Sequence, residues 1–171
     1  MNLDYVKIRD NVQDLSFATE HSACFDIRAN FTPEMKGYSC SSLGRFFKPE
    51  ERDDGRKGLL LTPGVRIMIP TGIIFNIPEG YSVRLHPRSG LATKHGIRLA
   101  NGEGVIDADY HHEVFVVLHN CSAGHAWVYD GDRICQGEMI KSLDYDLNPV
   151  YNVKELETTR TGGFGSTGVS S

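Results

Sequence analysis

Asp107 and Asp109 stand in the segment Val105-Ile106-Asp107-Ala108-Asp109-Tyr110, whose two leading apolar residues read as the end of a β-strand. If the strand continued, carboxylates at i and i+2 would point to the same side. One could then orient a water while the other shaped the turn. The same six residues taken alone also fit a hairpin with solvated aspartates and an ordinary core or rim tyrosine. Pro87-Arg88-Ser89-Gly90 combines a guanidinium, a hydroxyl and a glycine at a possible helix start, where free N–H groups favour an anion. Its plainer reading is a capped helix start with a surface arginine.

The chain ends Thr-Thr-Arg-Thr-Gly-Gly-Phe-Gly-Ser-Thr-Gly-Val-Ser-Ser over residues 158–171. On composition alone this is a flexible terminus, mobile when empty. Yet its glycines let backbone N–H groups wrap an anion, and Ser166 and Thr167 add hydroxyl donors. Arg160 offers a bidentate cation for phosphate, and Phe164 a face on which a base can stack. Two weaker segments accompany these three. Ala23-Cys24-Phe25-Asp26-Ile27-Arg28-Ala29 places a carboxylate in an apolar run, and Gly131-Asp132-Arg133-Ile134-Cys135-Gln136 places an amide after a turn. Alone, they read as a strand with one polar position and as a hairpin. His111-His112-Glu113 invites a metal, but adjacent strand histidines point apart.

The elements that must hold these residues are mostly strands. Val65, Ile67 and Ile69 alternate with Arg66 and Met68, and Val83 and Leu85 with Ser82 and Arg84, the strand period of two. Val114-Phe115-Val116-Val117-Leu118 is a continuous apolar run, expected to be buried on both faces. Thr62-Pro63-Gly64, Pro70-Thr71-Gly72, Pro78-Glu79-Gly80, Asn101-Gly102 and Asp130-Gly131-Asp132 are turn signals at short spacing. Many short strands with such turns predict an all-β sandwich, barrel or jelly roll. One short helix is expected over Ser89 to His95. Residues 33–59 are polar and read as an inserted loop or extra hairpin. The expected organisation is one domain over 1–157 and an arm over 158–171.

Bulk properties exclude several classes. The 171 residues suffice for one domain with a real core, and 40% hydrophobic and 23% charged residues are ordinary for a globular protein. A net charge of −4 argues against nonspecific nucleic-acid binding but not against one phosphorylated small molecule. Cys24, Cys40, Cys121 and Cys135 form neither a zinc pair pattern nor a disulfide framework, so reduced thiols are expected. The N-terminus lacks the pattern of a signal peptide, and no run approaches the ~18 apolar residues of a membrane helix. A cytoplasmic protein is expected, or a nuclear one in a eukaryotic host.

In this order and at these separations the five segments resemble the motifs of the trimeric dUTPase family, across roughly Ala23 to Gly168. The stretch from Leu85 to Tyr110 and the Gly-Gly-Phe-Gly-Ser-Thr-Gly tail are the most specific parts. The resemblance implies a distorted β-jelly-roll subunit assembled as a homotrimer with active sites shared between subunits. It implies hydrolysis of dUTP to dUMP and pyrophosphate, assisted by Mg²⁺. Asp107 matches the water-activating aspartate, and Tyr110 the tyrosine that packs on the deoxyribose and excludes a 2′-hydroxyl. Asn101, Gly104, Val105 and Ile106 fall in the hairpin whose backbone reads uracil. Arg88, Ser89 and Gly90 match the phosphate motif, and Gln136 the glutamine that supports it. Asp26 matches an aspartate linked to the metal through water. Arg160, Phe164, Gly165, Ser166 and Thr167 match the closing arm.

Four features depart from the family pattern. The 33–59 insertion is long, and His111-His112 replaces a common glycine. Gly137-Glu138 follows Gln136 where apolar residues are common. Arg160 stands one residue nearer the glycines than usual. Two other readings share the fold: a dCTP deaminase-like enzyme, and a dUTPase-fold regulatory protein that binds a partner through the insertion.

Overall fold

The computed structural model describes residues 1–32, 38–39, 48–152, 158–159 and 162. Among these, fourteen strands and one helix follow in chain order. The first half contains β1 (Asp4–Lys7), β2 (Ser16–Phe17), β3 (Phe25–Arg28), β4 (Tyr38–Ser39), β5 (Glu50–Glu51), β6 (Lys57–Leu61), β7 (Arg66–Pro70) and β8 (Ile73–Asn76). After β9 (Tyr81–His86) comes α1 (Ser89–His95), then β10 (Ile97–Leu99), β11 (Gly104–Ile106), β12 (Phe115–Asn120), β13 (Ala126–Tyr129) and β14 (Arg133–Lys141). The all-β expectation holds, and α1 has the bounds the sequence suggested. No described helix is long and apolar enough to cross a membrane.

Every pairing among the described residues is antiparallel. The strands form four sheets, ordered β11-β9-β14-β3-β2, β10-β12-β7-β4, β13-β6-β5 and β1-β8. Apart from β2-β3 and β5-β6, neighbours in a sheet are not consecutive in sequence, the mark of crossed rather than meandering connections. The period-two patterns dictate which side faces the core. Ile67 and Ile69 of β7 and Val83 and Leu85 of β9 are buried, while Arg66 is exposed and Arg84 half-buried. With Ile27, Leu59, Leu61 and Leu118 they form one continuous core. Each such aliphatic side chain contributes about 1.5–3 kcal/mol on leaving water.

Two expectations change. The run Val114–Leu118 is not buried evenly on both faces: Val114, Val116 and Leu118 are sealed, whereas Phe115 and Val117 are only half-buried. An unbroken apolar run is compatible with one core face, and the packing of β12 between β10 and β7 within one sheet decides it. The polar region read as 33–59 ends in core structure. Among its described residues Tyr38–Ser39 pair with β7 and residues 50–59 enter the β5–β6 hairpin, the hairpin alternative, while Leu59 of β6 is 1% exposed and pairs Val128 of β13.

Candidate active site

Gln136 lies in the middle of a sheet because β14 pairs on both sides, with Asp26 of β3 across one edge and His86 of β9 across the other. Asp26 is buried, and two guanidiniums close on it. Arg133 Nη1 donates to Oδ2 at 3.0 Å, and Arg88 Nε stands 3.3 Å from Oδ1. Arg88 Nη1 also donates to the Arg133 carbonyl at 3.1 Å. Arg133 was not singled out from the sequence; its only signal was membership of the Gly131–Gln136 segment. Arg88 is the N-cap of α1 and provides no side-chain cap, and the first helical turn holds no acidic residue. Ser89 and Gly90 are exposed there. The cluster therefore gathers Asp26, Arg88, Ser89, Gly90 and Gln136, a set suited to an anion held beside a buried carboxylate.

The second group is the connection from β10 to β11, two strands of different sheets, and the turn beyond β11. Asn101 is exposed at the tip, and its carbonyl accepts from Glu103 N at 2.9 Å. Gly104 is buried against β9, where a Cβ would meet Leu85 Cβ at 3.0 Å, so the close strand approach favours glycine. The strand stops at Ile106. Asp107 to Tyr110 is a turn closed by Tyr110 N donating to the Asp107 carbonyl at 3.1 Å. Asp107 and Asp109, both exposed, thus share no strand face, because the turn bond replaces the ladder that would have aligned them. The Tyr110 hydroxyl donates to the Glu113 carbonyl at 3.1 Å, and its ring meets His112 edge-on at 5.6 Å. Glu113 is itself anchored: its carboxylate pairs with Arg9 and accepts from Gly72 N at 2.8 Å. Val105 and Tyr110 nonetheless expose 47% and 38% of their surface, apolar area that nothing among the described residues covers.

Asp107 and Arg88 lie toward opposite ends of β9, although Gly104 pairs with Leu85 near the Arg88 end. Ile106 pairs with Val83, so Asp107 follows on toward Ser82, whereas Arg88 lies beyond His86. Six residues of extended chain from Ser82 to Arg88 span roughly 20 Å. This register separates Asp107 from Arg88 within one chain. A cleft of about 570 Å³ is lined by N-terminal residues together with Phe17, Phe25 and Met139, and contains none of the residues above. Arg160, Phe164, Gly165, Ser166 and Thr167 lie outside the described residues. Cys24, Cys121 and Cys135 are free thiols; burial pushes the Cys135 thiol far up, and burial followed by the charge of Glu138 raises Cys24.

A subunit of crossed antiparallel sheets with one short helix has the fold of solved dUTPases. It superimposes on Staphylococcus bacteriophage 80alpha dUTPase with dUPNHPP at TM-score 0.73 and 20% identity, over 98% of this chain and 99% of that one. For the dUTPase from phage phi11 of S. aureus the values are 0.68 and 18%, over 91% and 100%. Residues 56–168 match the dUTPase family. The Deoxyuridine 5'-triphosphate nucleotidohydrolase of Dinoroseobacter shibae is 36% identical over 154 residues, 90% of this chain and 86% of its own. That of Rhizobium leguminosarum bv. trifolii is 46% identical over 112 residues, 65% and 70%. The chain belongs to the dUTPase family.

Proposed function

We propose that the chain hydrolyses dUTP to dUMP and pyrophosphate, limiting uracil in DNA and supplying dUMP for dTMP synthesis, at sites shared between subunits of a homotrimer. The observation that carries the shared site is the separation along β9. Arg88 and its cluster at one end and Asp107 at the other, with exposed Val105 and Tyr110 beside Asp107, suit a site completed by a neighbouring copy. The substrate follows from family membership and from the activity named for relatives 36–46% identical.

In this reading the backbone from Asn101 through Gly104, Val105 and Ile106 reads the uracil edge. Tyr110, held by its bond to the Glu113 carbonyl, packs on the deoxyribose and leaves no room for a 2′-hydroxyl. Asp107 takes a proton from a water aligned with the α-phosphorus. The new O–P bond forms as the bond to pyrophosphate breaks, and the proton on Asp107 returns to solvent. Arg88, Ser89, Gly90 and Gln136 of a neighbouring subunit hold the phosphates, so most of the catalysis is positioning and charge stabilisation. Arg160, Phe164, Gly165, Ser166 and Thr167 close over the nucleotide and exclude bulk water.

The residues present fit Mg²⁺ through water. Asp26 Oδ1 makes no hydrogen bond among the described residues, with Arg88 Nε 3.3 Å away, so it could accept from a metal-bound water, while the flanking Arg88 and Arg133 oppose direct ligation. Bound there with the substrate phosphates, Mg²⁺ would neutralise developing charge. A cytoplasmic location, or a nuclear one in a eukaryotic host, belongs to the same proposal. The test compares pyrophosphate release from dUTP, dCTP, dTTP and UTP with Mg²⁺. Release confined to dUTP supports the reading; ammonia from dCTP would favour the deaminase instead.

A further inference from the structure

Beside the Asp26 cluster, three further side chains meet on the same sheet face. Phe25 pairs with Gly137, which sets Cys24 opposite Glu138; Glu138 pairs with Arg84 and Gln136 with His86, which makes His86 the diagonal neighbour of Glu138. The donor atoms of Cys24, His86 and Glu138 all lie within 4.8 Å of one another, and the three residues are half-buried. His86 Nε2 is 3.3 Å from Glu138 Oε2, yet it is sealed from solvent and makes no hydrogen bond among the described residues. The other ring nitrogen, Nδ1, faces Glu103 Oε1 at 3.5 Å. The second oxygen of Glu103 stands 3.6 Å from Arg84 Nη1.

We propose that Cys24, His86 and Glu138 form a zinc site, with the fourth position left to water. One sulfur, one imidazole nitrogen and one carboxylate oxygen suit a borderline-soft d¹⁰ ion, whereas Mg²⁺ prefers oxygen alone. Tetrahedral bonds of about 2.0–2.3 Å hold donors roughly 3.3–3.6 Å apart. The His86–Glu138 pair already has that spacing, and Cys24 closes by about 1 Å. Glu103 behind Nδ1 supplies the carboxylate–histidine–metal relation that fixes the tautomer and aims Nε2 at the ion. Charge also balances. Arg84 pairs with Glu103, and a divalent ion would offset the remaining charge of Glu138 and a Cys24 thiolate; the thiol proton it displaces goes to solvent. Gly137 belongs to the same construction. A Cβ there would fall 2.4 Å from the Phe25 ring, so glycine lets β14 lie close to β3 and brings Glu138 across from Cys24. The Gly137-Glu138 departure from the family's apolar pattern thus acquires a role.

The full chain, stripped with a chelator and held in excess Mg²⁺ without nucleotide, is titrated with Zn²⁺ by calorimetry and with Co²⁺ by absorption, so the outcome is independent of the proposed hydrolysis. We expect one ion per chain, a thiolate-to-cobalt charge-transfer band with tetrahedral d–d bands, and a higher Tm with Zn²⁺. Cys24→Ser abolishes the charge-transfer band. Glu103→Gln keeps the band and weakens binding about 10- to 100-fold. Should Cys24→Ser fail to fold, Glu138→Gln takes its place, with weakened binding and the band retained. Failure to bind Zn²⁺ against Mg²⁺, or a full band in Cys24→Ser, overturns the site.

Discussion

Mixing two inactive variants tests the shared site most directly. Asp107→Asn removes the proposed base at one end of β9 and Arg88→Ala a phosphate contact at the other, roughly 20 Å away along extended chain. Each homotrimer should lose activity, the first by about 10²–10⁴ in kcat, while both still assemble. In trimers formed from equal amounts of the two, a site needs Asp107 from an Arg88→Ala chain and Arg88 from an Asp107→Asn neighbour. Each mixed trimer then has one intact site of three, and random assembly makes about three quarters of the trimers mixed. Recovery should reach about one quarter of wild-type activity, a consequence of cyclic symmetry alone. Arg133 still pairs with Asp26 when Arg88 is removed, so folding should survive; thermal unfolding and light scattering on each parent verify this. The assay is pyrophosphate release from dUTP by the unseparated population of co-expressed trimers; mixed trimers isolated by tag should instead reach about one third. Activity no higher than either parent would refute the argument, since sites contained in single chains can never complement.

Other expectations follow from single elements. Truncation before Arg160 should cut turnover far more than it alters assembly, read by kcat beside light scattering; a fully active truncated enzyme would remove the arm from the mechanism. Asn120 is fully buried, its amide donating to the Leu61 and Gly124 carbonyls at 2.8 Å each and its Oδ1 accepting from Ser122 N and Oγ. Asn120→Ala should therefore cost about 3–5 kcal/mol and lower Tm by roughly 6–20 °C in calorimetry at fixed protein concentration. Cys135 is held protonated mainly by burial, its folded pKa lying above the ordinary thiol value of 9.0. The stability this contributes is complete below that value and falls as pH rises past it, by at most about 1.4 kcal/mol per pH unit. Denaturant melts across alkaline pH, compared with Cys135→Ala, read the difference. At neutral pH a thiol reagent should label exposed Cys121 readily and Cys135 only on unfolding.

Much of the fold was legible along the chain because its signals are local. The alternation at Val65–Ile69 and Val83–Leu85, the turn glycines and the helix from Ser89 to His95 depend on residues a few positions apart, and the structure keeps them. The apolar run at 114–118 was ambiguous because continuous hydrophobicity does not say how many faces are covered. The start of β6 was hidden because Lys57 and Gly58 are polar or small although the strand they open is core. The residues around Asp26 and Asp107 could be named in advance by type and motif, but their neighbours could not. Arg133 reaches Asp26, and His86 and Cys24 reach Glu138, only because β14 is paired on both sides in one register, and register sets contacts between residues a hundred positions apart. The same register holds Asp107 and Arg88 at opposite ends of one strand, although only nineteen positions separate them in sequence. Side-chain type and spacing carry chemistry along a chain, whereas distance between groups is a property of how strands align.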